Sequence, residues 1–447
     1  MRKIFPIIIL ALISAFLIFY RFADIPKYLA FDEVEFTKLA LSLDNKPYIP
    51  YSQLATGHST LYFYILLCSL KTFGINTFAL RFPAAIFGIL SVIIFYFIMQ
   101  NIYQKNKILN TKYLILNTLI LLSSRWFLNF ARFSFEATFL LFLELTSIYF
   151  LLKFDEVLKV KTVFLRQSPG APVGVWRSKK TLSNFYIIVS GIFSGLAFLS
   201  YTPGRIFFLL PMGFLILDLY RRGMSRLYNA KMIIKNLLLF LIPLLIITTP
   251  LTNYLINNKD TRIDQQFFLK NNEMPIQEKL NGFWYNVSST ALMFNIKGDV
   301  NGRHNYPNKP ALNPILGILF IIGLVVSIKN FKNLYNKIFL FYFLISLFPA
   351  LITYPWENPN MLRTYTVLPS AVYFIGTAIY HLSSIVQRWL LNKGIPRYLI
   401  LNTLYLILIF SSFYELRTYF KYQSIVFNQS FEIKSPLEKA IKFKFKP

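Results

Sequence analysis

The sequence predicts an all-α, polytopic membrane protein with about eleven transmembrane helices, and three observations carry that prediction. Its 447 residues are 55% hydrophobic, with a mean hydropathy of +0.49. Only 15% are charged, against ~25% in a soluble globular domain. The apolar residues also fall in successive runs close to the ~20 residues that a helix needs to cross a ~30 Å hydrocarbon core. Disorder, collagen, a disulfide scaffold and an ordinary soluble enzyme are thereby excluded.

Taken in chain order, Met1-Arg-Lys and the apolar run 4–20 resemble a signal peptide. The flank Tyr20-Arg-Phe-Ala-Asp-Ile-Pro offers no small-x-small cleavage site, so the run reads as an uncleaved first span with a cytoplasmic N-terminus. Later runs cover roughly 79–100, 113–131, 137–152, 184–200, 206–220, 232–256, 312–328, 336–353, 364–384 and 398–415. A shorter run at 59–75 decides the sidedness of everything after it. If it does not cross, the basic connections all lie inside: Lys105/Lys107/Lys112, the stretch Lys153 to Lys180, Arg221/Arg222/Arg226/Lys231, Lys329/Lys332/Lys337 and Arg388/Lys393/Arg397. If it crosses, they all lie outside. The positive-inside rule selects the first option, and 59–75 becomes a short re-entrant or interfacial helix.

This topology divides the chain into a membrane module over 1–256, an outer loop over 257–311, C-terminal spans over 312–415 and an outer tail over 416–447. The module carries outer loop 21–78 and a cytoplasmic insert, 153–183, whose 161–183 part is rich in Pro and Gly. The Lys-rich end of the tail (Lys439, Lys442, Lys444, Lys446) runs against the charge rule. The excess of 47 Lys+Arg over 19 Asp+Glu belongs to loops facing anionic lipid headgroups, not to nucleic-acid binding. A single cysteine, Cys68, allows no intramolecular disulfide. Asn286-Val-Ser and Asn428-Gln-Ser are sequons on outer segments.

Acidic residues are scarce, and four lie together in the first outer loop: Asp24, Asp32, Glu33 and Glu35. Phe36, Leu39, Ala40 and Leu43 recur at helical spacing and predict an amphipathic juxtamembrane helix lying on the membrane surface. Asp32 with Glu35 fits a capping box; a capped carboxylate at a helix start is also a rigidly held general base. His58, before the 59–75 run, suits a proton shuttle, a metal ligand, a phosphate contact or a polar helix entrance. Arg81 lies at the outer mouth of the second span, and Arg132 and Glu136 bracket the next outer bend as an ion pair or as two groups facing a shared cavity. Tyr201-Thr-Pro-Gly-Arg205 interrupts an apolar stretch, either lining a cavity at membrane depth or turning between spans. Arg303-His304 and Arg363 complete an outer set of arginines suited to a lipid-borne phosphate. No P-loop, HExxH, GxSxG or Cys/His zinc spacing occurs, and no internal repeat of the transporter kind is visible.

Five segments together resemble a known family: Phe31-Asp32-Glu33, Gly57-His58-Ser-Thr-Leu-Tyr-Phe-Tyr, Ala79-Leu-Arg81-Phe-Pro-Ala-Ala, Ala131-Arg132-Phe-Ser-Phe-Glu136 and Gly195-Leu-Ala-Phe-Leu-Ser-Tyr-Thr-Pro-Gly-Arg205. Their order and spacing over residues 1–370 resemble the GT-C superfamily of polyprenyl-phosphate-sugar-dependent glycosyltransferases, in particular its protein O-mannosyltransferase and aminoarabinose-transferase branch. Gly298-Asp-Val-Asn-Gly-Arg-His-Asn resembles a loop of further members. The resemblance implies a GT-C fold in the cell membrane, with a polyprenyl-phosphate sugar donor and an extracytoplasmic acceptor meeting on the outer face. It maps the family's first-loop catalytic base onto Asp32, beside Glu33, and the second outer acid onto Glu136, where relatives often carry Asp. Phosphate contacts map onto Arg205 and Arg363, with His58, Arg81, Arg132, Tyr201, Arg303 and His304 as further binding candidates. His58 stands where relatives have Lys or His before prolines, which are Ser59-Thr60 here. Some distant members need a divalent metal; no dedicated carboxylate cage is visible, and metal stays open. A lipid or sugar transporter, or a non-catalytic subunit of an envelope glycan pathway, is the alternative to an enzyme.

Overall fold

The computed structural model describes residues 5–103, 110–167, 173–220, 226–391 and 397–443. Lys105, Lys107, Arg221, Arg222, Lys393, Lys444, Lys446 and residues 168–172 of the cytoplasmic insert lie outside the described residues. Every apolar run becomes helical. The first half of the chain contains α1 (Phe5–Phe19), α2 (Phe31–Ser42), α3 (Leu61–Phe73), α4 (Thr77–Tyr103), α5 (Asn110–Ser123), α6 (Arg125–Ala131), α7 (Glu136–Gln167), α8 (Val173–Ser200), α9 (Leu209–Tyr220) and α10 (Arg226–Asn257). There follow α11 (Thr261–Gln266), α12 (Ile276–Met293), α13 (Pro314–Lys329), α14 (Leu334–Leu351), α15 (Leu368–Leu391) and α16 (Arg397–Arg417). Among the described residues, five helices are long and apolar enough to cross a membrane, and six if α5 and α6 count as one bent span.

The bundle is organised around α7. Leu140, Leu141, Leu145, Ile148 and Leu151 are fully buried, and α7 packs chiefly on α8 and α4. Ser147 of α7 bonds Ser190 and Ser194 of α8 at 3.0 and 2.9 Å, an interhelical contact favoured where lipid supplies no alternative partner. Two glycines permit close backbone approach: a Cβ on Gly191 would collide with the Phe240 carbonyl of α10, and one on Gly323 with the Phe374 carbonyl of α15. In contrast, α10 turns Leu238, Ile242, Leu245 and Ile246 outward, the surface a lipid-facing helix presents.

Three expectations about the loops change. The run 113–131 is not one straight span: it breaks at Ser124, whose backbone is extended, and α5 and α6 meet at 61°. Arg125 anchors the break through Glu415, at 3.7 Å, and the Pro310 carbonyl. The apolar face of α2 does not lie open on the membrane surface. Phe36, Leu39, Ala40 and Leu43 are buried, with α3 as a packing partner. Asp32 is not the helix cap; α2 begins at Phe31, and Glu33 reaches back to the Ala30 amide at 3.1 Å. Glu35 instead pairs with Lys38 at 2.8 Å. The α3 helix has 13 residues, about 20 Å, too short to cross alone.

The tail packs on the first outer loop. Leu29 and Ile433 exchange both backbone hydrogen bonds at 3.0 Å, and Lys38 donates to the Phe443 carbonyl at 2.9 Å. Residues 431–443 therefore sit at the same end of the bundle as α2. Asn286 is buried, donating to the Leu351 and Thr353 carbonyls at 3.0 and 2.6 Å, so its sequon is inaccessible in the folded chain.

Candidate active site

Segments predicted to share one side of the membrane converge on a cavity of about 400 Å³. The start of α2 contributes Asp32, and the hairpin of β1 (Tyr51–Ser52) and β2 (His58–Ser59) contributes His58. The bend before α7 contributes Phe135, the turn after α8 Tyr201, the 257–311 loop Arg262, Arg303 and His304, and the loop after α14 Glu357 and Arg363. Six of the eleven candidate residues thus line one cavity: Asp32, His58, Tyr201, Arg303, His304 and Arg363.

The short helix α6, buried throughout, fixes the two loops that form the far wall. Asn129 donates to the Arg303 and His304 carbonyls at 2.8 and 2.9 Å. Trp126 donates to the Met361 carbonyl at 2.8 Å. Asp299 ties the loops to each other, accepting from the Asn301 and Met361 amides at 2.7 and 2.8 Å and pairing with His304 at 3.0 Å. The bend at Ser124 is therefore what brings a seven-residue helix under the site.

Charges in the cavity are arranged in pairs. Arg303 Nη1 lies 2.9 Å from Asp32 Oδ2, whose side chain remains 40% exposed. Arg363 pairs with Glu357. Arg262 differs: no carboxylate of the described residues pairs with it. Its guanidinium lies 5.2 Å from the Tyr201 ring centre and 2.7 Å from His58 Nε2. His58 is buried, and its Nδ1 lies 2.5 Å from Glu136 Oε1. Burial lowers the His58 pKa from its ordinary value, Arg262 adds to that, and Glu136 opposes it.

The remaining five candidates do not line the cavity. Glu136 sits behind it, in contact with His58. Glu33 and Arg81 form a buried pair at 2.7 Å. Arg81 also donates to the Pro26 and Tyr28 carbonyls at 2.6 and 2.8 Å, and Glu33 accepts from the Ser134 amide at 3.3 Å. Arg132 does not pair with Glu136. It caps the C-terminal end of α1 and the chain beyond, donating to the carbonyls of Leu17, Ile18, Tyr20, Arg21 and Ile25. Arg205 pairs with Asp260 and lies 3.4 Å from Ser59 Oγ. Asp260 also accepts from the Tyr51 hydroxyl at 2.9 Å and caps α11 through the Ile263 amide at 3.2 Å.

No group of three His, Cys, Asp or Glu side chains among the described residues is placed to hold a metal ion. The two His–carboxylate pairs by the cavity are already engaged: Asp299, beside His304, accepts from two backbone amides, and Glu136 lies 2.5 Å from His58. The described residues do not fit a three-ligand metal site. Arg262 is the cavity-lining arginine that the sequence hides. It sits in Lys259-Asp-Thr-Arg-Ile-Asp, a polar stretch that reads as an ordinary solvated helix start; the only local signal is the Asp260 cap.

Comparisons with known proteins give structural likeness without sequence likeness. No family model matches the sequence, and no curated protein matches it. ArnT from Cupriavidus metallidurans, in a structure bound to undecaprenyl phosphate, superposes with a TM-score of 0.54, covering 97% of this chain and 77% of ArnT at 12% identity. The chain has the GT-C fold. The archaeal oligosaccharyltransferase AglB from Archaeoglobus fulgidus, in complex with an inhibitory peptide and a dolichol-phosphate, agrees. Its TM-score is 0.53 at 13% identity, over 97% of this chain and 57% of AglB.

Proposed function

We propose that the chain is a membrane glycosyltransferase that moves a sugar from a polyprenyl-phosphate-linked donor to an extracytoplasmic acceptor. The observation that carries this reading is the cavity itself. Two partly exposed carboxylates, Asp32 and Glu357, face a cavity lined by Arg262, Arg303 and Arg363, in a fold shared with proteins whose structures hold undecaprenyl phosphate and dolichol-phosphate.

In the proposed reaction Asp32 removes the proton from the acceptor hydroxyl or amine. The acceptor atom attacks the anomeric carbon from the face opposite the phosphate, the bond from that carbon to the phosphate oxygen breaks, and its electron pair leaves on the polyprenyl phosphate. Configuration inverts. Arg303 holds the Asp32 carboxylate in one orientation at 2.9 Å, and an incoming acceptor takes its place. Arg262, with no carboxylate partner among the described residues, is the guanidinium most available to the leaving phosphate. Arg363 assists once Glu357 yields. Such fixed donors at developing charge are often the largest catalytic contribution.

The test is transfer or release of sugar from a panel of radiolabelled polyprenyl-phosphate sugars by purified protein in detergent. Wild type turns over one donor, and Asp32→Asn, folded and donor-binding, loses ~10²–10⁴-fold in rate. Near-normal turnover by the Asn variant refutes the base assignment. Absence of binding and turnover with every donor favours a transporter or a non-catalytic subunit.

A further inference from the structure

One wall of the cavity, the loop 354–363 after α14, is held rigidly at its start. The Tyr354 amide donates to the Gln266 carbonyl at 3.2 Å, and Asn271 Nδ2 donates to the Tyr354 hydroxyl at 3.3 Å. Pro355 packs so closely on α12 that a Cβ on Gly282 would lie 3.1 Å from its Cγ. On this base Trp356 stacks one indole face on Tyr354, with ring centres 4.3 Å apart and planes 17° from parallel. Trp356 nonetheless stays 73% exposed, and it lines the cavity. Trp284 of α12 is also exposed but does not line the cavity; anchoring at the membrane interface accounts for it. Trp356 shares its wall with Glu357, Asn360 and Arg363. Asn360 is oriented by its own loop: Oδ1 accepts from the Leu362 and Arg363 amides at 3.1 and 3.0 Å. Its Nδ2 is left as a donor without a partner among the described residues.

We propose that this wall is the subsite for the donor's sugar, in which the open indole face of Trp356 receives the C–H face of a pyranose ring whose phosphate lies at Arg363. The proposal rests on reading the cavity as a glycosyl-transfer site and adds sugar recognition to it. A pyranose carries weakly positive C–H groups on its flat faces and hydroxyls around its edge. The face of an aromatic ring is the negative part of its quadrupole, so the two attract while both shed water. Asn360 Nδ2 donates to a hydroxyl at the sugar's edge. Glu357 pairs with Arg363; when the phosphate takes its place there, the freed carboxylate accepts from another hydroxyl. Cation, plate and edge partners on one loop thus match the phosphate, ring and hydroxyls of one ligand. A carrier phosphate without its sugar meets the arginines and leaves the indole face unused.

The experiment compares two ligands on the full chain, in a detergent without a sugar headgroup, since such a headgroup would compete for the plate. One ligand is undecaprenyl phosphate; the other is the undecaprenyl-phosphate sugar that wild type turns over. Each variant is read against wild type for each ligand, which cancels the difference in charge between the two phosphates. Trp356→Ala weakens the sugar-bearing ligand about fivefold to tenfold and leaves undecaprenyl phosphate unchanged. Trp356→Phe keeps a ring face and recovers most of the lost affinity. The melting temperature of both variants stays near that of wild type, because the side chain is exposed. Equal loss for both ligands makes Trp356 an interface anchor, and no loss for either makes it a bystander; each result overturns the subsite while leaving the phosphate site intact. If wild type turns over no donor sugar, the transfer reading falls and the subsite with it.

Discussion

Two groups of arginines, drawn from the same predicted side of the membrane, have opposite situations. Arg81 and Arg132 are fully buried, and their donors are taken up by Glu33 or by backbone carbonyls of the first loop and α1. Arg262, Arg303 and Arg363 line the cavity, Arg303 and Arg363 each paired with one carboxylate and Arg262 set against His58 and the Tyr201 ring. The first group is mortar: a guanidinium that ties several carbonyls at once lets an irregular loop end be buried without orphaned oxygens. The second group retains donors for a ligand. Residue type and side of the membrane are shared; what separates scaffold from site is how completely the protein itself saturates each guanidinium.

Substitutions break this comparison in a definite order. The largest effect is kinetic: Asp32→Asn lowers sugar transfer ~10²–10⁴-fold while its melting temperature stays close to wild type, since the carboxylate is partly exposed and makes one ion pair. Next, Arg81→Gln leaves Glu33 charged and buried, costing ~3–5 kcal/mol, read as a large drop in melting temperature in detergent. Adding Glu33→Leu to Arg81→Met recovers only part of that loss: the unpaired buried charge is gone, but the Pro26 and Tyr28 carbonyls and the Ala30 and Ser134 amides lose their partners. Persistence of the full loss in the double variant would place the cost elsewhere. Arg132→Lys costs ~1–3 kcal/mol, as one ammonium cannot reach the five carbonyls.

The smallest effect is a pH dependence at the edge of the site. Burial raises the Asp260 pKa, but Arg205 and the hydrogen bonds outweigh it, and the net shift is downward. A carboxylate with a depressed folded pKa contributes stability that is present above the unfolded value of about 3.9 and is lost as pH falls through the folded value. Asp260→Asn therefore melts below wild type at neutral pH, and the gap closes in strong acid. A constant gap across pH would mean that the variant fails through packing and not through charge.

Much of this was legible before the fold was seen. The apolar runs marked the helices, because length and hydropathy are the physical requirements for spanning lipid. Asp32, His58, Tyr201, Arg303, His304 and Arg363 were legible as a set because each flanks an apolar run on one predicted side. The segments that carry them meet at one end of the bundle. The division between Arg81 or Arg132 and the cavity arginines was not legible, since it depends on carbonyls up to 115 positions away in sequence. The bend at Ser124 was hidden for a similar reason: what holds it is Glu415 and the Pro310 carbonyl, far from the local pattern. Arg262 was hidden by good local manners, in a polar, well-capped turn.

The most direct test of the account sets Arg262→Gln beside wild type, measuring undecaprenyl phosphate affinity and melting temperature at neutral pH. Removing a charge-assisted donor that faces the ligand is expected to weaken binding about tenfold or more, with the melting temperature nearly unchanged. Unaltered affinity in the folded variant, or wild-type protein that shows no saturable binding, would contradict the assignment of this cavity as the seat of a lipid phosphate.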